Sequence, residues 1–394
     1  MAASTTLILG GGFGGIAAAN SLRQLVPREH EIVVIDKSPS FHVGAGKTWV
    51  MLGERTMEQI SRPRKNLLDR GIGFLEANIL SIDLERKVVA TGSETLRWDY
   101  LVIALGADLN LASVPGLAEG AQTFYTLEGA QRLQDVLRDF NGGDLAILIP
   151  KMPIKCPPAP YEAAMLLRHA FEVRGLADRV RIAIYTVEAT PMATAGAEMG
   201  QYVRNELARR SIGFHPQKRA LRIDSAGRRL SFEDGIEVGY DLLVAVPPHE
   251  APKAVREAQL TNQSGWIPVD PLTLNVTAIR GSSDVYAVGD ITSVLLPGRY
   301  KPDVALSLPK AGVFAEAHGR VAAHQIAGKI LGRESSETFD GRGHCYLEIG
   351  GGRAIKADGA FFELPHPIMR KQIPDEAQFR DKVAWVARHL TPVN

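Results

Sequence analysis

Apolar residues in this chain gather in short runs that fill both faces of a would-be strand, instead of alternating with polar ones. The runs fall at Thr5–Leu9, Glu31–Ile35, Asp99–Ala107, Asp144–Pro150, Arg179–Tyr185, Asp241–Pro247 and Asp284–Asp290. Strands apolar on both faces belong to parallel sheets covered by helices. Helical spacing appears between them, through Ile16, Ala17, Ala18, Ala19 and Leu22, over Tyr161–Val173, and from Pro309 onward. A last helix is expected over Asp375–Leu390, with Phe379, Val383, Val386 and Leu390 on one face. Strands alternating with helices predict an α/β fold. The order of the runs divides it into two doubly wound units and a C-terminal segment. The first unit takes residues 1–107 and 256–331, the second 108–255, and the C-terminal segment 332–394. Pro115-Gly116-Leu117 lies in the connection to the second unit, and Gly265–Asp270 re-enters the first.

The first run is followed at once by Gly10-Gly11-Gly12-Phe13-Gly14-Gly15. Gly10, Gly12 and Gly15 hold the G-x-G-x-x-G positions, for a tight turn, close approach of a pyrophosphate, and packing of helix on strand. The second run ends on Asp36-Lys37, about twenty residues farther on, where a carboxylate meets a ribose hydroxyl. Strand, glycines, helix, strand and acid in register make the first unit Rossmann-like, and the strand and helix runs of the second follow the same Rossmann-like plan. They predict a dinucleotide site of Gly10, Gly12, Phe13, Gly14, Gly15, Asp36 and Lys37. Downstream, the run ending on Gly289-Asp290 and the run carrying Gly106 resemble the strand connections of two-dinucleotide flavoproteins. That resemblance implies FAD, with Gly106, Gly289 and Asp290 at its site.

The second unit departs from this pattern. After Asp144–Pro150 comes Lys151-Met152-Pro153-Ile154-Lys155-Cys156-Pro157-Pro158-Ala159-Pro160-Tyr161-Glu162, without a glycine. A pyrophosphate needs backbone amides, and proline has none to give. A thiol stands where a second nucleotide would bind. Cys156 precedes a helix, and Lys151 and Lys155 add positive charge, so a stabilised thiolate is expected there. The other cysteine, Cys345, lies in Gly343–Gly350 and reads by itself as a buried apolar residue.

Composition narrows the field. In 394 residues, 45% are hydrophobic and 23% charged, enough for two or three ordinary globular cores. Lys+Arg 45 against Asp+Glu 44 leaves little net charge, which argues against nucleic acid as a partner. Met1–Ser4 has neither the basic nor the apolar region of a signal peptide, and no apolar run is long enough to cross a bilayer. The expected location is therefore cytoplasmic or peripheral to a membrane. Two cysteines cannot staple a scaffold, and no metal site is expected.

Gly10–Gly15, Lys155-Cys156-Pro157-Pro158, Asp284–Asp290, Leu308-Pro309-Lys310-Ala311-Gly312 and Cys345 together resemble the sulfide:quinone oxidoreductases and the flavin subunit of flavocytochrome c sulfide dehydrogenase. The resemblance covers nearly the whole chain. It implies that Cys156 and Cys345 face the flavin as a redox pair, with Cys345 nearer the ring. Two departures stand out. Gln122–Thr126 lacks a third cysteine found in many of these enzymes. Ser40–Gly46 lacks the cysteine that binds FAD covalently in flavocytochrome relatives, so the FAD is expected to be non-covalent.

The implied chemistry is oxidation of sulfide to polysulfide or sulfur. Hydrosulfide attacks the Cys156–Cys345 bridge, the flavin takes the electrons, and a quinone or a cytochrome c receives them. Lys310 is expected to open a helix, with Pro309 at its first position, and to face the ring. Glu162 is a candidate proton acceptor. Tyr346, Phe361 and Phe362 are candidates for an aromatic quinone slot. Arg370, Lys371, Arg380, Lys382 and Arg388 around the last helix fit a helix lying on an anionic membrane. A helix packed on its own domain fits equally, and a non-catalytic redox-sensing flavoprotein is the remaining alternative.

Overall fold

The computed structural model describes residues 3–279 and 283–393; Met1 and Ala2, part of the stretch tested for a leader, lie outside the described residues. Five parallel strands form one sheet in the order Val285–Ala287, Tyr100–Ile103, Thr5–Leu9, Glu31–Asp36, Gly73–Glu76. Four more form a second, in the order Ile212–His215, Val180–Thr186, Gly143–Ile149, Leu242–Ala245. The central strands carry Leu7, Ile8, Leu9, Ile147 and Leu148 at full burial, as runs apolar on both faces require. Each unit also holds a three-stranded antiparallel ribbon just before a closing strand. One spans Ile79–Asp83, Val88–Thr91 and Thr95–Arg97, the other Ala220–Asp224, Arg229–Phe232 and Glu237–Gly239. Their strands are partly exposed and mixed in polarity, so the search for apolar runs passes over them.

The Phe13–Leu25 helix packs against Gly312–Ile330 at backbone distance. A Cβ on Gly319 would lie 2.2 Å from the Gly14 carbonyl oxygen. The second of these helices starts at Gly312, not Pro309, because Pro309 and Lys310 belong to an extended segment paired with the Cys156 loop. The Tyr161–Val173 helix begins two residues earlier, at Ala159, with Pro158 as its N-cap.

The C-terminal segment forms an antiparallel sheet of Arg342–Gly350, Arg353–Ala360 and Ile368–Lys371, then the Glu376–Arg388 helix capped by Asp375. It does not simply fold back over the first unit. Leu347, Ile349, Ile355, Val386 and Leu390 join the apolar cluster of the second unit, while Phe339 and Phe361 join that of the first. Val386 and Leu390 on the apolar face of the last helix are thus covered by protein, Phe379 and Val383 are half-buried, and Lys382 beside them is 2% exposed. The helix therefore does not offer that face, or that cation, to a membrane. Among the described residues no helix is long and apolar enough to cross one.

Gly15 is the tightest point of the first turn: a Cβ there would lie 1.8 Å from the Gly10 carbonyl oxygen. Gly15→Ala is expected to lower stability by about 3 kcal/mol or more, the upper range for forced overpacking. Urea denaturation measures this, and an unmoved midpoint would mean that the turn opens freely.

Candidate functional site

A cavity of about 340 Å³ opens at the carboxyl ends of both sheets, where open α/β sheets place ligands. Its wall includes Gly12, Phe13 and Gly14, then Gly106, Gly289, Asp290 and Lys310, and also Cys156, Glu162, Cys345 and Tyr346. Residues expected from six separate stretches of sequence thus meet on one surface.

The first-unit side fits FAD. A Cβ on Gly12 would meet nothing within 4 Å, so open space lies where a pyrophosphate would approach. Gly10 has φ +99, a conformation that glycine adopts without strain. Asp290 is half-buried and its Oδ1 is buried without a partner, an acceptor suited to a hydroxyl donor such as a ribityl chain offers. Asp36 sits behind the turn: its carboxylate accepts from Gly11 N at 2.7 Å and Ser38 N at 2.9 Å, and Arg64 lies 3.2 Å away. Lys37 is not at the cavity. Its side chain is mostly exposed and lies 3.8 Å from Asp108.

Three lysines border the cavity with Asp290: Lys47, Lys155 and Lys310. Burial lowers the pKa of Lys47 to about 7, aided by Lys155, and that of Lys310 to about 8. Lys310 precedes its helix. Its ammonium donates to the carbonyls of Asp290 and Thr292, the latter at 3.2 Å, and sits 3.5 Å from the Trp266 ring centroid. Its own carbonyl accepts from Cys156 N at 2.8 Å, which stitches the two units together.

Cys156 has φ +52, the left-handed region that is costly for a side chain with a Cβ. Both cysteines are free thiols on the shared cavity. The expected stabilised thiolate is not found. Burial, then Glu162, pushes the Cys156 thiol up to about 12, outweighing Lys382 and Lys47. Lys151 is exposed. Burial, then Cys156 and Glu162, likewise pushes Cys345 up to about 12.

Glu162 is not a surface residue but 4% exposed. Lys382 Nζ donates to its Oε1 at 2.7 Å and also to Glu348, which accepts from Trp49 Nε1 at 2.8 Å. Glu348 N donates to Glu162 Oε2 at 3.2 Å. Two carboxylates therefore share one ammonium out of water. Burial first, and Glu348 besides, lift the Glu162 carboxyl to about 7 against the pull of Lys382.

The second unit fills its own nucleotide position. Glu188, just past the Val180–Thr186 strand, accepts from the Tyr161 hydroxyl and from Met192 N at 3.0 Å. Tyr161 is wholly buried. A side chain thus occupies the carboxylate that a ribose would need, consistent with the missing glycines.

Of the quinone candidates only Tyr346 reaches the cavity. Phe361 packs edge-on to Phe314 at 5.3 Å and Phe362 to Phe339 at 5.4 Å, both within the first core. The strand residues that line the cavity, His344 to Tyr346, lie well before them. Aromatic lining comes instead from Phe13, Phe41 and Trp385, with Phe13 and Trp385 stacked at 5.5 Å. Sequence reasoning missed Lys47, Tyr125, Glu348 and Trp385. It named Lys382 only among cations around the last helix that would fit a membrane face or a helix packed on its own domain, since nothing local marks it as the partner of a glutamate 220 positions away.

Gly12→Ala is expected to fold, having room for the methyl, yet to bind FAD at least tenfold more weakly because that room is the cofactor's. Flavin absorbance per folded protein tests this. Acid precipitation of the wild type should leave the flavin in the supernatant, since no cysteine lies in Ser40–Gly46.

Comparison with known proteins agrees with this geometry. Residues 4–149 match the pyridine nucleotide-disulphide oxidoreductase family, and residues 130–247 match the central region of the flavoprotein chain of sulfide dehydrogenase [flavocytochrome c]. A mitochondrial sulfide:quinone oxidoreductase of Mus musculus is 21% identical over 91% of this chain and 78% of its own length. A sulfide-quinone reductase of Aquifex aeolicus is 27% identical over 83% and 77%. The X-ray structure of the Aquifex aeolicus sulfide:quinone oxidoreductase superposes with a TM-score of 0.86 at 23% identity, covering 98% of this chain and 90% of that one. Through its dinucleotide turn and its thiol-bearing second unit the chain is thus similar to the pyridine nucleotide-disulphide oxidoreductases and to the flavocytochrome c sulfide dehydrogenase flavoprotein, and over most of its length to the sulfide:quinone oxidoreductases, whose fold it shares.

Proposed function

We propose that this protein is an FAD-dependent oxidoreductase that oxidises sulfide, or a related small sulfur compound, through Cys156 and Cys345 and delivers the electrons to a quinone. One observation carries the reading. The only two cysteines of the chain line the cavity that also holds the dinucleotide turn and Asp290. The names of the relatives supply sulfide as donor and quinone as acceptor.

The cycle starts from a Cys156–Cys345 disulfide. Hydrosulfide attacks one sulfur, forming a new S–S bond as the old one breaks, and leaves a persulfide on one cysteine and a thiolate on the other. A second sulfur nucleophile takes the outer sulfur and frees the second thiol. The sulfide sulfur has then lost two electrons, which the dithiol holds. FAD, when bound, supplies the acceptor for those electrons and the donor to the quinone. Glu162 takes the proton of Cys156 when the disulfide re-forms. Lys47, Lys155 and Lys310 favour negative charge in the cavity and hold hydrosulfide near the thiols. Tyr346 and Trp385 form the aromatic slot for a quinone, and the unpartnered Trp385 Nε1 and His344 Nε2 serve a quinone oxygen. The FAD unit takes residues 1–107 and 256–331, the thiol unit 108–255, and the acceptor-side segment 332–394. The match of residues 130–247 to the flavocytochrome flavoprotein supports a second reading, with a cytochrome c in place of the quinone.

Anaerobic mixing tests the donor. Sulfide should bleach the flavin absorbance, and a short-chain quinone should restore it. NADH should leave it unchanged, because Tyr161 and the prolines fill the second nucleotide position; rapid stoichiometric bleaching by NADH would refute this assignment. Cys156→Ser and Cys345→Ser should each keep FAD and lose sulfide-dependent quinone reduction by a hundredfold or more. Normal turnover in either variant removes that cysteine from the cycle.

A further inference from the structure

The buried network around Glu162 uses three other parts of the chain, and it reaches the cavity. Lys382 of the last helix and Glu162 both line the wall beside Cys156, while Glu348 and Trp49 stand behind them. Lys382, Glu162 and Glu348 are 2%, 4% and 3% exposed. Such a cluster is a poor stabiliser, since desolvating three charges offsets most of their attraction. A packed apolar trio would hold the same elements together as well. The cluster also carries one more negative than positive charge, and a single proton would balance it.

We propose that Lys382 and Glu348 are positioning residues that set the proton occupancy of Glu162, and through it the reactivity of the Cys156 thiol. Lys382 holds the Glu162 carboxylate ready to take the thiol proton; Glu348, accepting from the same ammonium, opposes ionisation. The step moves one proton from Cys156 Sγ to a Glu162 carboxylate oxygen and leaves a thiolate, with no change of oxidation state. Other groups face this site. From the loop, helix and strand around it, Cys156, Cys345 and Tyr125 feel the Glu162 charge, while Lys47 acts on Cys156. Glu54, after the Lys47–Leu52 helix, couples to Glu348 and Lys382. Thr48 Oγ1 donates to Glu162 Oε1 at 3.4 Å. Among the described residues Lys382 is the one cation hydrogen-bonded to Glu162.

This inference rests on the thiol reading above, so its readout avoids both sulfide and quinone. In FAD-loaded Cys345→Ser protein, Cys156 is the sole thiol, and its alkylation by iodoacetamide is followed against pH. The rate should climb as Glu162 ionises, with an inflection near 7, the value to which burial and Glu348 lift it. Added Glu348→Gln should move the inflection down, and Lys382→Met should move it up, each by roughly one to three units. Lys382→Arg should return it. A purely structural role predicts no shift, or the same shift for both substitutions, and either result overturns the proposal. Should Lys382→Met fail to fold, Glu348→Gln decides alone: a downward shift supports the assignment and an unmoved inflection removes it. Failure of sulfide to bleach the parent protein, with the alkylation shifts intact, would count against the donor and leave this assignment standing.

Discussion

Two helices meeting at backbone distance govern the architecture of the site. Gly14 and Gly319 let Phe13–Leu25 and Gly312–Ile330 approach so closely that any Cβ at Gly319 would strike the Gly14 carbonyl and the Ala18 amide. Around that contact there is no slack: Gly289 lies against Ala315, and Gly312 against the Phe13 ring. The dinucleotide turn, the Gly289–Asp290 corner and the segment leading to the second helix are therefore fixed relative to each other by van der Waals exclusion, with the Lys310 ammonium adding polar bonds to the Asp290 and Thr292 carbonyls. The hydrogen bond from Cys156 N to Lys310 O carries this placement across to the second unit. The thiol loop is held in register with the cofactor side by that backbone bond and by Lys155 Nζ, which donates to the Ala107 carbonyl at 3.2 Å.

Charge in the cavity is segregated. Lys47, Lys155 and Lys310 outnumber Asp290 on one side, whereas Glu162 and Glu348 outnumber Lys382 on the other. Burial moves the lysines toward losing their protons and Glu162 toward keeping its own, so both sides sit near neutral pH at the point of exchange. Such an arrangement suits a site that must accept an anion and trade protons with sulfur. Burial pushes both cysteine thiols up to about 12, so the proposed chemistry calls on a neighbour that takes a proton at the moment of reaction, not on a thiolate present beforehand.

The legible parts of this protein are those whose cause is local. The parallel strands show as apolar runs, and the first turn shows because the spacing of Gly10, Gly12 and Gly15 answers to steric needs within a few residues. The absence of a second glycine turn was equally plain. Other features depend on what packs from elsewhere. The segment around Cys156 reads as electropositive, yet burial dominates, and burial is a property of the assembled core. Lys382 on an amphipathic terminal helix looks the same in sequence whether it meets lipid, solvent or Glu162. Phe361 and Phe362 are aromatic and near Cys345 in sequence, but the strand turns away and delivers them to the first core. Trp385 reaches the cavity from a different element.

Lys382 also has a consequence for how the protein comes into being. The chain emerges from the ribosome amino end first, and its units can begin to pack in that order. The strand and loop bearing Cys156 are then complete long before the last helix exists. Until Glu376–Arg388 has been made and docked, Glu162 lacks the Lys382 ammonium, and the part of the cavity wall formed by Lys382 and Trp385 is missing. A growing chain therefore holds Cys156 and Glu162 for a time before Lys382 can neutralise that carboxylate, and the Glu376–Arg388 helix closes the wall like a latch when it docks.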